Sequence, residues 1–227
     1  MSLSNSSSTG SNQNVVRIGV FIPYEAQLLD TACIDIFGSM SKEYFAMVGD
    51  ALVPPALSAL APSVDISSSM SIICTHHFSH PEVAPGKLDI VLVPGPDPKI
   101  DLYSDKAPLE WLAGHANNAE KKTDILSVCS GIYLCGAAGI LKGKKACGPR
   151  GLQGDLRKRF ESQEVDWVGE ELRWVVDGNL WSSGGVTNGN DLVAAYTRQT
   201  SRHFPGPVAE LGLMFVEVDE RPQKYEE

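Results

Sequence analysis

The sequence predicts an α/β fold on a mostly parallel sheet with helices on both faces. Three observations carry that expectation. Apolar runs of strand length alternate with stretches of helical periodicity through the amino-terminal two-thirds of the chain. Several of those runs are nearly continuous, as strands covered on both faces require. One run, 123–128, turns at Cys129 straight into a small-residue helix, the kind of step from which parallel sheets with right-handed crossovers are built.

The elements follow in order. Residues 15–22 form an apolar run that opens the sheet, and after the polar turn at 23–27 the residues Leu28, Leu29, Ala32, Cys33, Ile36, Phe37 and Met40 repeat at helical spacing. Pro54, Pro55 and Pro62 interrupt any regular element across 53–70. A short strand fits 71–75. A firmer one fits 88–94, ending in the turn 95–98. A helix starts near Pro108 and leads to the strand ending at Cys129, after which Ile132, Leu134, Ala138 and Leu141 keep a helical period. Downstream, 151–160 reads as a charged helix, and 164–168, 173–177 and 179–183 as strands. The last two are joined by an Asp-Gly-Asn turn into an added β-hairpin. A helix then runs to about His203, and a final one covers 207–217.

Composition bounds the rest. With 227 residues, 43% of them hydrophobic, the chain can bury one substantial core, so 15–227 is expected to be a single domain. Residues 1–14 are rich in Ser and Asn and lack the apolar core of a signal peptide; they are expected to be a disordered tail. A net charge of −9 argues against nucleic acid held by a general basic surface, and no apolar stretch is long enough to span a membrane. Five cysteines at irregular spacing fit a reducing, cytoplasmic setting. Neither they nor the five histidines show a spacing that compels a metal, and no cofactor is expected.

Cys129 is the residue on which chemistry turns. The start of a helix offers unpaired amides and a favourable dipole to negative charge, so the thiol is expected to ionise more readily than usual. Ser130 and Gly131 keep the first turn narrow, which lets an amide face an atom that becomes anionic during attack. A buried structural thiol would be the better reading of a cysteine in an ordinary strand; its place at a strand-to-helix corner reverses that preference. In parallel sheets the ligand crevice lies beyond the carboxyl ends of the strands, where 23–30, 95–98 and 129–131 are expected to meet.

These residues carry a family likeness. The chain resembles the ThiJ/PfpI superfamily, flavodoxin-like relatives of the class I glutamine amidotransferases. The matching pieces are Ile18-Gly-Val-Phe-Ile-Pro, the Leu-Val-Pro-Gly turn at 92–95, the Ser-Val-Cys-Ser-Gly corner with Gly136-Ala-Ala-Gly, and Trp181-Ser-Ser-Gly-Gly-Val-Thr. The corner and the last piece look most like the isocyanide hydratase branch, in which a small hydroxyl residue follows the cysteine. The resemblance implies a flavodoxin-like three-layer sandwich, a homodimer, a small-molecule substrate, and attack by Cys129 on an isonitrile carbon with a carboxylic acid delivering the proton. A thioimidate would then be hydrolysed to an N-substituted formamide. Oxyanion or substrate contacts are expected from Ser130, alone or with an amide of Gly95 or Asp97, and from Thr187; Arg150, where relatives carry other residues, would either line the mouth of the site or stand solvated.

The acid itself is ambiguous. Counting back from Ile34-Asp-Ile-Phe37 places Leu29 where the resemblance implies an acid, leaving the adjacent Asp30 or else Glu25 for the role. Asp30 serves equally well as a helix cap. Pro96 stands where relatives carry a second glycine, and proline has no N–H to offer an oxyanion. No histidine is evident for a Cys-His-Asp arrangement. A glyoxalase or deglycase acting on reactive carbonyls, and a non-catalytic redox sensor using Cys129, are the alternative readings.

Overall fold

The computed structural model describes residues 15–41, 63–66 and 70–226; the tail expected at 1–14 and most of the proline-rich 53–70 lie outside the described residues. The chain begins with β1 (Ile18–Val20), followed by α1 (Leu28–Ala32) and α2 (Ile34–Gly38), then β2 (Ser63–Ile66) and β3 (Met70–Ile73). Next come β4 (Ile90–Val93), α3 (Ala107–Ala116), β5 (Asp124–Ser127) and α4 (Gly131–Ala137). The remainder comprises β6 (Lys145–Ala146), α5 (Gln153–Arg159), β7 (Asp166–Trp167), β8 (Trp174–Asp177), β9 (Leu180–Ser183), α6 (Thr187–Gln199) and α7 (Gly206–Phe215).

Five strands form the main sheet in the order β1-β4-β5-β9-β8. The first four run parallel, with Ile90 opposite Asp124 and Ile125 opposite Leu180, and the β8–β9 hairpin closes one edge antiparallel. Its two-residue turn places Gly178 at φ 66°, a conformation glycine adopts without penalty. β2 and β3 pair with each other, and β6 with β7, outside that sheet.

The near-continuous apolar runs are explained by two cores. Along β4, Val91 and Val93 face one core while Ile90 and Leu92 face the other; along β5, Ile125 and Leu126 divide in the same way. The first core packs against α3, α4 and α5 through Leu112, Ile132, Tyr133 and Leu156. The second packs against α2, α6 and α7 through Phe37, Leu192, Tyr196 and Leu213. Each fully buried aliphatic side chain contributes roughly 1.5–3 kcal/mol, so a strand with no polar face is stable only with helices on both sides.

Two sequence expectations change here. The run 15–22 is regular only over Ile18–Val20; among the described residues β1 pairs only with β4, and Val15 and Val20 are exposed. Its side chains still divide between the two cores, Phe21 in the first and Val16 and Ile18 against the second. The helix expected over 28–40 breaks at Cys33 into α1 and α2. Cys33, Ile36, Phe37 and Met40 still share a buried face, while Leu29 turns outward. A cavity of about 950 Å³ runs beside β1 and is lined by Phe21, Leu28, Cys74 and Trp111, not by Cys129 or Asp30.

Candidate active site

The parallel register brings the ends of β4, β5 and β9 level, so the segments leaving them share one corner. The Val128 N–H donates to the Val93 carbonyl at 3.0 Å, and the Cys129 N–H to the Gly184 carbonyl at 3.1 Å. The loop after β1 is tied in by the Gln27 N–H, which donates to the Gly95 carbonyl at 2.9 Å. The three segments expected to meet at the carboxyl ends do so, and a fourth, 184–186, joins them.

Cys129 adopts φ 56°, left-handed backbone that a non-glycine residue enters only under constraint. The constraint is the abrupt passage from β5 to α4. Its cost is on the order of 1–3 kcal/mol. Val186 is stranger, with φ 39° and ψ −91° in a β-branched residue immediately before α6. Two strained residues thus face one another across the corner.

Three groups act on the Cys129 sulfur: the Asp30 side chain and the backbone N–H groups of Ser130 and Val186. Cys129 is half-buried, and burial, with the neighbouring Asp30 charge next in weight, pushes its thiol up to about 11 despite those two amides. The expected easier ionisation does not hold. Water removed from a thiol beside a carboxylate disfavours the thiolate more than the first amides of a seven-residue helix favour it.

Asp30 is the responding group. It is fully buried in the first turn of α1, where it is not the capping residue, and burial raises its carboxyl to about 6. The Gly95 N–H donates to Oδ2 at 3.1 Å; Oδ1 completes no hydrogen bond, although the Cys129 thiol and the Val186 N–H both act on the carboxyl. Near neutral pH the pair is therefore a thiol beside a carboxylate. The carboxylate has an oxygen free to take a proton.

Gly95 permits this approach. A Cβ there would lie 2.2 Å from Ser130 Oγ and 2.8 Å from Asp30 Oδ2. Ser130 Oγ in turn donates to the Pro96 carbonyl at 2.6 Å, so the residue lacking an N–H anchors the corner through its oxygen.

The other residues singled out from the sequence are placed less centrally. Glu25 accepts the Asp97 N–H at 3.3 Å and is not among the groups acting on the sulfur. Gly95 and Asp97, expected to offer amides to a substrate, already direct them to Asp30 and Glu25. Arg150 is exposed, with its guanidinium 4.5 Å over the Tyr225 ring. Thr187 opens α6 and is exposed. Leu29, at the position the resemblance assigns to an acid, is 56% exposed.

Val186 was not found from the sequence. Its contribution is a backbone N–H, which no side-chain identity announces; the only signal is the Gly184-Gly185 pair before it. Elsewhere, His76, His80 and Glu82 bring donor atoms within 4.8 Å of one another on the surface. His80 Nδ1 already accepts the Glu82 N–H and His76 pairs with the Glu82 carboxylate at 3.2 Å, so the cluster closes as a local turn.

A cysteine in left-handed backbone at a strand-to-helix corner, at the carboxyl end of a parallel sheet, defines an α/β protein of the flavodoxin-like, elbow-cysteine class. Within that class the chain belongs to the DJ-1/PfpI family, whose match spans residues 51–199. It is 29% identical to isonitrile hydratase of Pseudomonas putida over 185 residues, 81% of this chain and 72% of that protein. Among solved structures it resembles a ThiJ/PfpI family protein from Pseudomonas syringae at TM-score 0.67, with 24% identity over 96% of this chain and 84% of the other. It also resembles DJ-1beta of Drosophila melanogaster at TM-score 0.66, with 15% identity over 90% of this chain and all of the other. Both likenesses are of fold. Among the described residues, no helix is long and apolar enough to cross a membrane.

Proposed function

We propose that this protein hydrates a small isocyanide to an N-substituted formamide through a covalent adduct on Cys129. The observation that carries this reading is the Cys129–Asp30 pair. It sets a half-buried thiol beside a carboxyl whose proton affinity lies within reach of neutral pH. The identity to an isonitrile hydratase supports the choice of substrate class.

The chemistry balances with these two groups and water. Asp30 takes the thiol proton and passes it to the isonitrile carbon as the sulfur bonds to that carbon, giving a thioimidate in which nitrogen retains its substituent. Water then adds to the same carbon with Asp30 as base. Asp30 hands that water proton to the nitrogen, the carbon–sulfur bond breaks as the carbonyl forms, the remaining hydroxyl proton goes to sulfur, and the formamide departs. The net change is addition of one water. The Ser130 and Val186 N–H groups face the sulfur, where they stabilise negative charge as it builds during proton transfer.

A raised thiol weighs against the sensor reading, since redox-sensing cysteines are low-pKa thiols. The test is to incubate the wild type and Cys129→Ala with alkyl and aryl isocyanides and with methylglyoxal, following formamide and lactate. Formamide should form in the wild type and fall more than about a thousandfold in Cys129→Ala. Undiminished formamide without the thiol, or lactate alone from the wild type, overturns the reading.

A further inference from the structure

The segment from Asp219 to Glu226 is tied to the reactive corner through two connections that share Arg173. The first is a ladder of peptide hydrogen bonds. The Arg173 N–H donates to the Gln223 carbonyl at 2.8 Å, the Gly184 N–H to the Arg173 carbonyl at 2.8 Å, and the Cys129 N–H to the Gly184 carbonyl at 3.1 Å. Three bonds therefore join the segment to the backbone of the thiol residue.

The second connection uses side chains. The Tyr225 ring meets the guanidinium groups of Arg150 and Arg173, each 4.5 Å from its centroid. Its hydroxyl accepts from Asn188 Nδ2 at 2.6 Å. Asn188 lies two residues beyond Val186, and its Oδ1 accepts from Arg221 at 3.3 Å. The Tyr225 N–H itself donates to the Glu171 carbonyl at 2.9 Å, which sets the ring in place.

The clamped position is the one that needs a clamp. Val186 holds a backbone conformation that a β-branched residue does not keep unaided, and such conformations persist only where the surroundings over-determine them. Its N–H is one of the two amides acting on the sulfur.

We propose that this carboxy-terminal segment is a positioning strap, pinned by Tyr225, that keeps the Val186 N–H aimed at Cys129 and Asp30. Tyr225 is a positioning residue: it acts through Asn188 and the start of α6. The reaction that benefits rests on the function proposed above; the aim of the amide does not.

The test is Tyr225→Phe in the full chain, which keeps the backbone bonds and removes only the hydroxyl. The readout is the iodoacetamide alkylation rate of Cys129 at pH 8, measured on its own peptide by mass spectrometry. Weakening the amide raises the thiol further, so alkylation should slow about three- to tenfold, the effect of half to one pKa unit. With isocyanide, kcat should fall by a similar factor with KM within about twofold. Asn188→Ala, which also loses the Arg221 bond, should slow alkylation at least as much as Tyr225→Phe, and Tyr225→Phe should add little in that background, because the hydroxyl acts through Asn188. Removal of everything from Asp219 onward should slow alkylation more. Unchanged alkylation in Tyr225→Phe, even with a lower melting temperature, overturns the strap and leaves a purely stabilising tail. A wild type that turns over no isocyanide defeats the hydratase reading while alkylation still decides the strap.

Discussion

Two buried aspartates sit at opposite ends of the sheet and are treated in opposite ways. Asp124, at the amino end of β5, accepts the Tyr196 hydroxyl at 2.7 Å and pairs with Arg202. Nearby Asp89 takes the Arg17 N–H at 2.7 Å and Lys121 at 2.9 Å; although burial pushes its carboxyl up, these partners hold it below the usual range. Asp30, beyond the carboxyl ends, receives among the described residues one completed hydrogen bond and no cation, and burial raises its proton affinity. The fold can therefore satisfy a buried carboxyl when a partner is supplied. Where it leaves one under-satisfied, the carboxyl stands beside the half-buried cysteine.

Breaking the pair at its reactive end should give the largest effect. Asp30→Asn should lower kcat/KM for isocyanide by about 10²–10⁴-fold, the usual contribution of a positioned acid–base group. In the wild type the rate should rise with pH through about 6, as Asp30 ionises; the variant should lose that limb. Stability carries the opposite sign. The folded state holds this proton more tightly than the unfolded one, so the contribution is fullest below about pH 4 and is lost as pH rises through about 6. Asp30→Asn should consequently be more stable than the wild type at pH 8, by about 1–3 kcal/mol in urea unfolding. A less stable variant would show that the charge is satisfied after all.

At the other end, Asp124→Asn should cost about 1–3 kcal/mol, because Tyr196 and Arg202 keep their places while the charge between them disappears. Activity per folded molecule should not change. A fall in activity at equal folding would mean that the two ends are coupled. The smallest effect belongs to Leu29→Asp, which restores an acid at the position suggested by the family likeness. That side chain points to solvent, so stability should move by less than about 0.5 kcal/mol and Asp30→Asn should not be rescued.

The last substitution marks where the sequence stops being legible. β4, β5, the hairpin and the corner at Cys129 were readable because apolar runs and their breaks are local signals. The choice between Leu29 and Asp30 was not, because the count back from Ile34 crosses the interruption at Cys33 between α1 and α2. The direction of the thiol shift was equally hidden. Position at the start of a helix is visible in a sequence, but the carboxyl brought against the sulfur from 99 residues earlier is a product of folding. Backbone donors are hidden for a third reason, since Val186 contributes nothing that depends on its being valine.

The left-handed backbone at Cys129 bears on how the protein tolerates inactivation. Glycine occupies that region freely, whereas alanine and serine inherit the strain of the parent residue. Loss of the sulfur to glycine thus relaxes the chain at this strained corner, at the expense of the entropy a glycine adds to the unfolded state. An inert descendant of this protein could then persist as a well-folded, abundant molecule, so that abundance in a cell would say little about whether the corner still works.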